Sequence, residues 1–168
     1  MNYARIYKAD MINGKGVRVT LFVSGCSHHC PGCFNQKAWN EDYGKPYTQE
    51  TEDAVINYMK APYVDGLTFL GGEPMDPPHQ EYVWKLICRV RKELPDKNIW
   101  LYSGYTLEEL RAMDTPYVKQ ILSSVDVLVD GRFVQALKDP DLAFKGSSNQ
   151  RVIDMQATKE GEPVILIP

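Results

Sequence analysis

Three cysteines, Cys26, Cys30 and Cys33, form a C-x3-C-x2-C pattern within Ser24-Gly25-Cys26-Ser27-His28-His29-Cys30-Pro31-Gly32-Cys33-Phe34. Thiolates crowded this closely repel one another and lose solvation, so the pattern calls for a positive partner that shares their charge. A metal centre is the first reading. A structural zinc takes four protein ligands, usually in two pairs, and His28, His29 or the distant Cys88 would have to complete the set. A catalytic zinc on three thiolates would keep an open position, but no partner acid lies close by in sequence. Ferredoxin-type clusters take four cysteines, and the loop again lacks one. An iron–sulfur cluster on three thiolates would leave one iron to an outside ligand, which turns an electron carrier into a catalyst.

The elements that would position this loop can be read outward from it. Residues 17–23 alternate apolar side chains and add Phe22 on the second face, as in a strand covered on both sides. Asn13-Gly14-Lys15-Gly16 is expected to be the turn before this first strand; its glycines precede a strand rather than leave one, so they do not make a dinucleotide fingerprint. Thr48 offers an N-cap, Glu50, Glu52 and Asp53 follow it, and Val55, Ile56 and Met59 give the helix a buried side. The apolar run 67–70 ends in Gly71-Gly72-Glu73-Pro74. Pro77-Pro78 then introduces a helix over about 79–94, with Val83, Leu86, Ile87, Val90 and Leu94 on one face.

A strand over 99–102 ends in Ser103-Gly104-Tyr105. Thr106-Leu107-Glu108-Glu109 has the capping-box pattern, and Thr115-Pro116 supplies a cap and first-position proline for a helix burying Val118, Ile121, Leu122 and Val125. The strand 127–129 runs into Asp130-Gly131-Arg132-Phe133. A weaker strand is expected over 151–155, and 163–167 is an apolar run.

Strands alternate with helices and no tight hairpin turn separates them, so the class is α/β with a mainly parallel sheet, in a single domain over 1–168. The net charge of −3, with no run of one sign, gives no electrostatic reason to expect nucleic acid or an anionic membrane surface. No apolar run approaches the roughly 20 residues of a spanning helix, and no basic start with an apolar middle marks the amino terminus, so a cytosolic protein is expected. Clustered cysteines in that reducing compartment point to metal or redox chemistry rather than a disulfide. The cysteine loop, Gly71-Gly72-Glu73, Ser103-Gly104 and Asp130-Gly131-Arg132 all follow strands. In a parallel sheet they would meet at its C-terminal edge, around one cavity.

C-x3-C-x2-C with Gly71-Gly72-Glu73-Pro74 downstream resembles the radical S-adenosylmethionine (SAM) superfamily. Asn13-Gly14-x-Gly16, residues 21–26, Cys30-Pro31-Gly32-Cys33, residues 100–105, 127–133 and 146–151 together are similar to the activating proteins of anaerobic ribonucleoside-triphosphate reductases, which are glycyl-radical enzyme activases. The likeness runs from the amino terminus to about Arg151 and leaves 152–168 unplaced. It implies a [4Fe-4S] cluster on Cys26, Cys30 and Cys33, with SAM completing the fourth iron. One electron, from a low-potential donor such as flavodoxin or ferredoxin, would cleave SAM to methionine and a 5′-deoxyadenosyl radical. That radical would take a hydrogen atom from a glycine Cα of the reductase large subunit.

The same resemblance gives roles to individual residues. Gly71 and Gly72 would leave backbone groups open to the methionyl end of SAM, with Glu73 accepting from its amine and Pro74 closing the cofactor-binding motif. Gly32 and Phe34 would place backbone and a ring against the adenine. Related activases carry Asp-x-Lys where Asp130-Gly131-Arg132 stands, so Asp130 and Arg132 become candidate SAM contacts, with a guanidinium able to pair a carboxylate at two points. The implied fold is an open partial (β/α) barrel of about six units or slightly fewer, since the closed eight-stranded form needs about 250 residues. Two rivals stand beside this reading: an activase of the formate-lyase type, and a non-catalytic iron–sulfur or zinc interaction module. Cys88 is expected to be a buried inert thiol, His28 and His29 partly exposed loop residues, and His79 a surface residue. Trp84, Trp100 and Tyr102 are expected to pack, and 146–151 to dock a partner or close the cavity mouth.

Overall fold

Residues 1–168 are described by a computed structural model. Strand β1 (Asn2–Asp10) lies antiparallel to β2 (Arg18–Val23), and the two-residue β3 (Lys45–Pro46) lies antiparallel to β1 on its other side. Helix α1 (Gln49–Met59) leads to β4 (Gly66–Gly71), α2 (Pro77–Glu93) to β5 (Asn98–Ser103), and α3 (Leu107–Ala112) with α4 (Val118–Ser124) to β6 (Val127–Asp130). A long connection then reaches β7 (Arg151–Asp154), the single turn α5 (Met155–Thr158) and β8 (Ile165–Ile167). The eight strands form one mixed sheet in the order β3-β1-β2-β4-β5-β6-β7-β8.

Parallel pairing is confined to β2, β4, β5 and β6. This falls short of about six β/α units, and β1, β3, β7 and β8 extend the sheet antiparallel instead. A parallel return needs a crossover of a dozen or more residues, usually helical. The link over 11–17 is too short for one. The longer 131–150 connection carries only the 3-10 turn Gln135–Leu137.

Successive parallel strands are neighbours in space, and their crossover helices lie on one face of the sheet. There Val19, Leu21, Val23, Leu67, Phe69, Ile99, Leu101 and Leu128 join Val55, Ile56, Val83, Leu86, Ile87, Val90 and Ile121 in one buried core. Each large side chain so buried contributes roughly 1.5–3 kcal/mol. The other face carries a smaller apolar cluster, Trp100, Val127, Val129 and Val152, and beside it a polar network.

Arg18 is 0% exposed at the centre of that network. Its guanidinium donates to Thr68 Oγ1 (2.6 Å), Lys15 O (2.8 Å), Leu67 O (2.9 Å) and Asn98 Oδ1 (2.7 Å), and it lies 5.4 Å from the Trp100 ring. Burial lowers its pKa to about 10.

Local signals account for most helix starts. Thr48 caps α1 in a reciprocal pair with Thr51, and Thr106 caps α3 with Glu109, as the capping-box pattern requires. Thr115 does not cap α4; its hydroxyl donates to Gln80 Oε1 (2.7 Å), and the helix starts after Tyr117. Asn13-Gly14-Lys15-Gly16 precedes the second strand rather than the first. Cys88 is exposed, not buried, because it stands off the α2 stripe that Leu86, Ile87 and Val90 turn to the core. No helix is long and apolar enough to cross a membrane.

Candidate functional site

Because β2, β4, β5 and β6 run parallel, their C-terminal residues lie along one edge, with Val23 opposite Gly71 and Ser103 opposite Asp130. The loops that leave this edge wall a cavity of ≈ 120 Å³. Cys26, Cys30 and Cys33 line it with Gly71, Gly72, Glu73, Ser103, Gly104, Gly131 and Phe133; Leu70, Tyr102 and Val129 are further lining residues. A larger depression, ≈ 500 Å³, is lined by Lys15, Asp65, Asn98, Asp126 and Asp154 beside the opposite edge. Its carboxylates are occupied by backbone N–H groups of Val17, Ile99, Gln156 and Ala157, which assigns them to structure.

The cysteine loop is fastened from several sides. Gly25 N donates to Ala38 O (2.7 Å) and Cys26 N to Trp39 O (3.2 Å), while Cys33 N closes a turn onto Cys30 O (3.1 Å). His29 stacks on Trp39 with ring centroids 4.6 Å apart. Glu73 N donates to Gly25 O (2.8 Å), and a Cβ on Gly72 would collide with that carbonyl, so the two loops touch through bare backbone.

All three sulfurs are free thiols; Cys33 accepts from Asn35 N (3.4 Å), and the backbone N–H groups of His28 and His29 are turned toward Cys26 and that of Phe133 toward Cys30. Such donors favour a charged sulfur. Burial opposes them, pushing the Cys26 thiol up to about 11 and the Cys30 thiol upward as well, with Arg132 favouring the Cys30 thiolate. The thiolate set therefore needs a positive partner, as its spacing suggested. No three His, Cys, Asp or Glu side chains converge on a single ion. A cuboidal cluster takes each thiolate at a different corner, so its ligands surround a volume rather than a point.

Glu73 is the most heavily bonded side chain at the site and is 1% exposed. Its carboxylate meets His28 Nε2 (2.8 Å) and accepts from Gly104 N (2.6 Å), Met75 N (2.8 Å) and Ser103 Oγ (2.9 Å). The lone pairs are filled by the protein. An additional amine would have to displace one of these donors, so the role of Glu73 implied by resemblance does not match this arrangement. His28 is a partly exposed loop residue, as expected, but its side chain is only 5% exposed and is a partner of Glu73. Its ring packs edge-on to Tyr105 at 4.4 Å and occupies the space that a Cβ on Gly104 would need.

Asp76, just before α2, accepts from Ser27 N (2.9 Å), Ser27 Oγ (2.7 Å) and Tyr105 Oη (2.8 Å). His79 is buried, not a surface residue, and its Nδ1 meets Glu73 O at 2.7 Å.

Residues 12–153 match the family described as a 4Fe-4S single cluster domain. The chain is 46% identical over 154 residues to the anaerobic ribonucleoside-triphosphate reductase-activating protein of Escherichia coli (strain K12), covering 90% of this chain and 97% of that one. The chain belongs to that family. The activating protein of Vibrio cholerae serotype O1 is 47% identical over 152 residues (89% of this chain, 96% of the relative), and that of Enterobacteria phage T4 is 39% identical over 152 residues (90% and 93%).

Within this member of the activating proteins, the sequence-predicted residues divide into two groups. Cys26, Cys30, Cys33, Phe34, Gly71, Gly72 and Glu73 come together on the cavity, although Phe34 is 87% exposed and forms its rim. Gly32, Pro74, Asp130 and Arg132 are outside the lining. The Asp130 carboxylate is buried against the Arg151 guanidinium and accepts from Leu107 N (2.7 Å), joining β6, β7 and the start of α3. Arg132 forks onto Glu109 (2.9 and 2.8 Å) and lies 5.7 Å from the Tyr105 ring. Sequence reasoning named His28 only as a possible metal ligand and did not find Asp76, Tyr105, Phe133 and Gln150 as site residues. Ser103-Gly104-Tyr105 was visible as a strand-end motif, but its attachment to Glu73 and Asp76 depends on the fold.

Proposed function

We propose that this protein activates an anaerobic ribonucleoside-triphosphate reductase by placing a radical on a glycine of its large subunit. The observation that carries the reading is the set of three free thiols, each with backbone N–H turned toward it, on one cavity with Gly71-Gly72-Glu73 at a parallel sheet edge. Cys26, Cys30 and Cys33 would hold a [4Fe-4S] cluster, and the backbone around Gly71 and Gly72 would hold the methionyl end of SAM. When bound, cluster and SAM together supply a one-electron cleavage whose carbon radical can take a hydrogen atom from a glycine Cα.

The chain's own groups prepare that chemistry. Leu70, Val129 and Phe133 exclude water. Phe34 and Asn35 border both the cavity and an adjoining groove of ≈ 790 Å³, which extends the room for a nucleoside. Gly32 and Arg132 act from just outside: Arg132 favours the charged Cys30 sulfur. Glu73, Pro74 and Asp130 hold the loops in place. The four parallel strands form the central part of an open (β/α) barrel whose uncovered side admits the partner's glycine loop, and the whole chain works as one domain. A low-potential donor of the flavodoxin or ferredoxin kind delivers the electron in the cytoplasm.

Anaerobic reconstitution tests the reading. Four irons and four acid-labile sulfides per chain are expected, and reductant, SAM and the reductase should then give a glycyl-radical EPR doublet. Cys26→Ala, Cys30→Ala or Cys33→Ala should abolish SAM cleavage, and Cys88→Ala should leave it intact. A colourless zinc protein, or a radical formed on a formate-lyase but not on the reductase, would overturn it.

A further inference from the structure

Gly146-Ser147-Ser148-Asn149-Gln150 has no role in the chemistry above, yet its side chains are aimed at one short stretch of backbone. Gln150 Nε2 donates to Gly131 O (2.9 Å), Asn149 Nδ2 donates to Arg132 O (2.8 Å), and the fully buried Ser147 accepts from Val134 N at its hydroxyl (3.1 Å). The three side chains are themselves linked. Ser147 Oγ donates to Asn149 Oδ1 (2.6 Å), and Gln150 Oε1 accepts from Gly146 N (2.8 Å) and Ser147 N (3.1 Å). Residues 147, 149 and 150 thus bind 134, 132 and 131 in reversed order, a ladder built from side chains in place of a second strand. The stretch it holds carries Phe133, which lines the cavity with Cys30 and whose N–H favours the charged Cys30 sulfur, and Gln135, whose side chain packs on Gly32 between Cys30 and Cys33.

We infer that residues 146–150 are a clasp that holds the 131–134 backbone against the cysteine loop and thereby keeps the Phe133 N–H turned toward the Cys30 sulfur. The inference rests on the reading of Cys30 as a cluster ligand. Ser147 and Asn149 are positioning residues: neither lines the cavity, and both act through Phe133. An N–H donated to a ligand sulfur favours the more electron-rich, reduced cluster, so the clasp raises the reduction potential.

Ser147→Ala and Asn149→Ala test this in two states of the protein. In the cluster-free chain, hydrogen exchange of the 131–135 amides should accelerate at least tenfold while β4 and β5 keep their protection. In the reconstituted protein, both variants should retain four irons, shift the cluster's potential to more negative values and change its EPR g-values. Asn149 is exposed, so its truncation tests the clasp even where Ser147→Ala fails to fold. Asn149→Asp keeps the acceptor for Ser147 and loses the donor to Arg132 O; it should match Asn149→Ala in exchange, and native protection in that variant would overturn the assigned bond. Unchanged exchange and potential in a four-iron protein would overturn the clasp and leave the cluster reading intact. A native chain without a four-iron cluster would remove the reading and the clasp's effect on potential together.

Discussion

Replacing Glu73 by alanine in the cluster-free protein separates a structural carboxylate from a ligand-binding one. Four donors lose their acceptor: His28 Nε2, Gly104 N, Met75 N and Ser103 Oγ. His28, Ser103 and Gly104 line the cavity, where water can take over, so they are assigned no cost. Met75 is buried, and an unmet buried donor costs about 1–3 kcal/mol. The expected loss is therefore about 2 kcal/mol, which for a chain of this length lowers the melting temperature by roughly 5 °C. Urea unfolding, followed by far-ultraviolet circular dichroism without iron or SAM, measures it directly. A loss below about 1 kcal/mol would refute the reasoning. The donors would then have found other acceptors, and the role of Glu73 would lie with a bound molecule.

Two further outcomes concern the polar face of the sheet. Arg18→Lys keeps the charge but cannot reproduce four bonds from a planar fork to Thr68, Lys15, Leu67 and Asn98, so urea unfolding should show a loss of about 2–3 kcal/mol; an unchanged midpoint would contradict the network. Burial acts to raise the pKa of Asp10, but hydrogen bonds from Ile12 N, Asn13 and Thr20 outweigh it and hold the carboxyl below its ordinary 3.8. A depressed carboxyl contributes its full stability above the unfolded-state value of about 4, and loses it as pH falls through the lower folded value. Native stability should therefore fall more steeply below about pH 4 than that of Asp10→Asn, and parallel pH profiles would count against the assignment.

The parallel part of the fold was legible because its signals are local and repeated. Strands that alternate with capped helices place their ends on one edge, and the cysteine loop, Gly71-Gly72-Glu73 and Ser103-Gly104 meet there as expected. What was hidden depends on partners distant in sequence. Strand β1 is half-exposed with no clean alternation, so nothing in Tyr3, Arg5 and Tyr7 announces a strand until β2 pairs with it. An arginine in a strand ordinarily faces water, and only the fold reveals that Arg18 is enclosed. Glu73 and Asp130 resemble ligand-binding carboxylates because acidic residues at strand ends usually are exposed. Their saturation by Gly104, Met75, Leu107 and Arg151 follows from contacts across 2 to 31 residues of sequence. His79 opens a helix, a place that ordinarily faces water, and is buried here because its ring meets the carbonyl of Glu73 in the preceding loop.

The ladder between 131–134 and 147–150 also orders events in time. The cavity has no complete wall until Gln150 has been synthesised and has closed onto Gly131. A chain emerging from the ribosome therefore carries three thiols, at 26, 30 and 33, well before it has a place to keep a cluster between them. Iron and sulfide loaded earlier would sit on an open, solvated loop, and the nascent chain is at its most vulnerable to oxidation or to a wrong metal during that interval. On the proposed function, cluster insertion would follow the pairing of β6 and the folding back of the connection after it. A product truncated before residue 147 would keep Cys26, Cys30 and Cys33 and lose the connection that walls the cavity beside them.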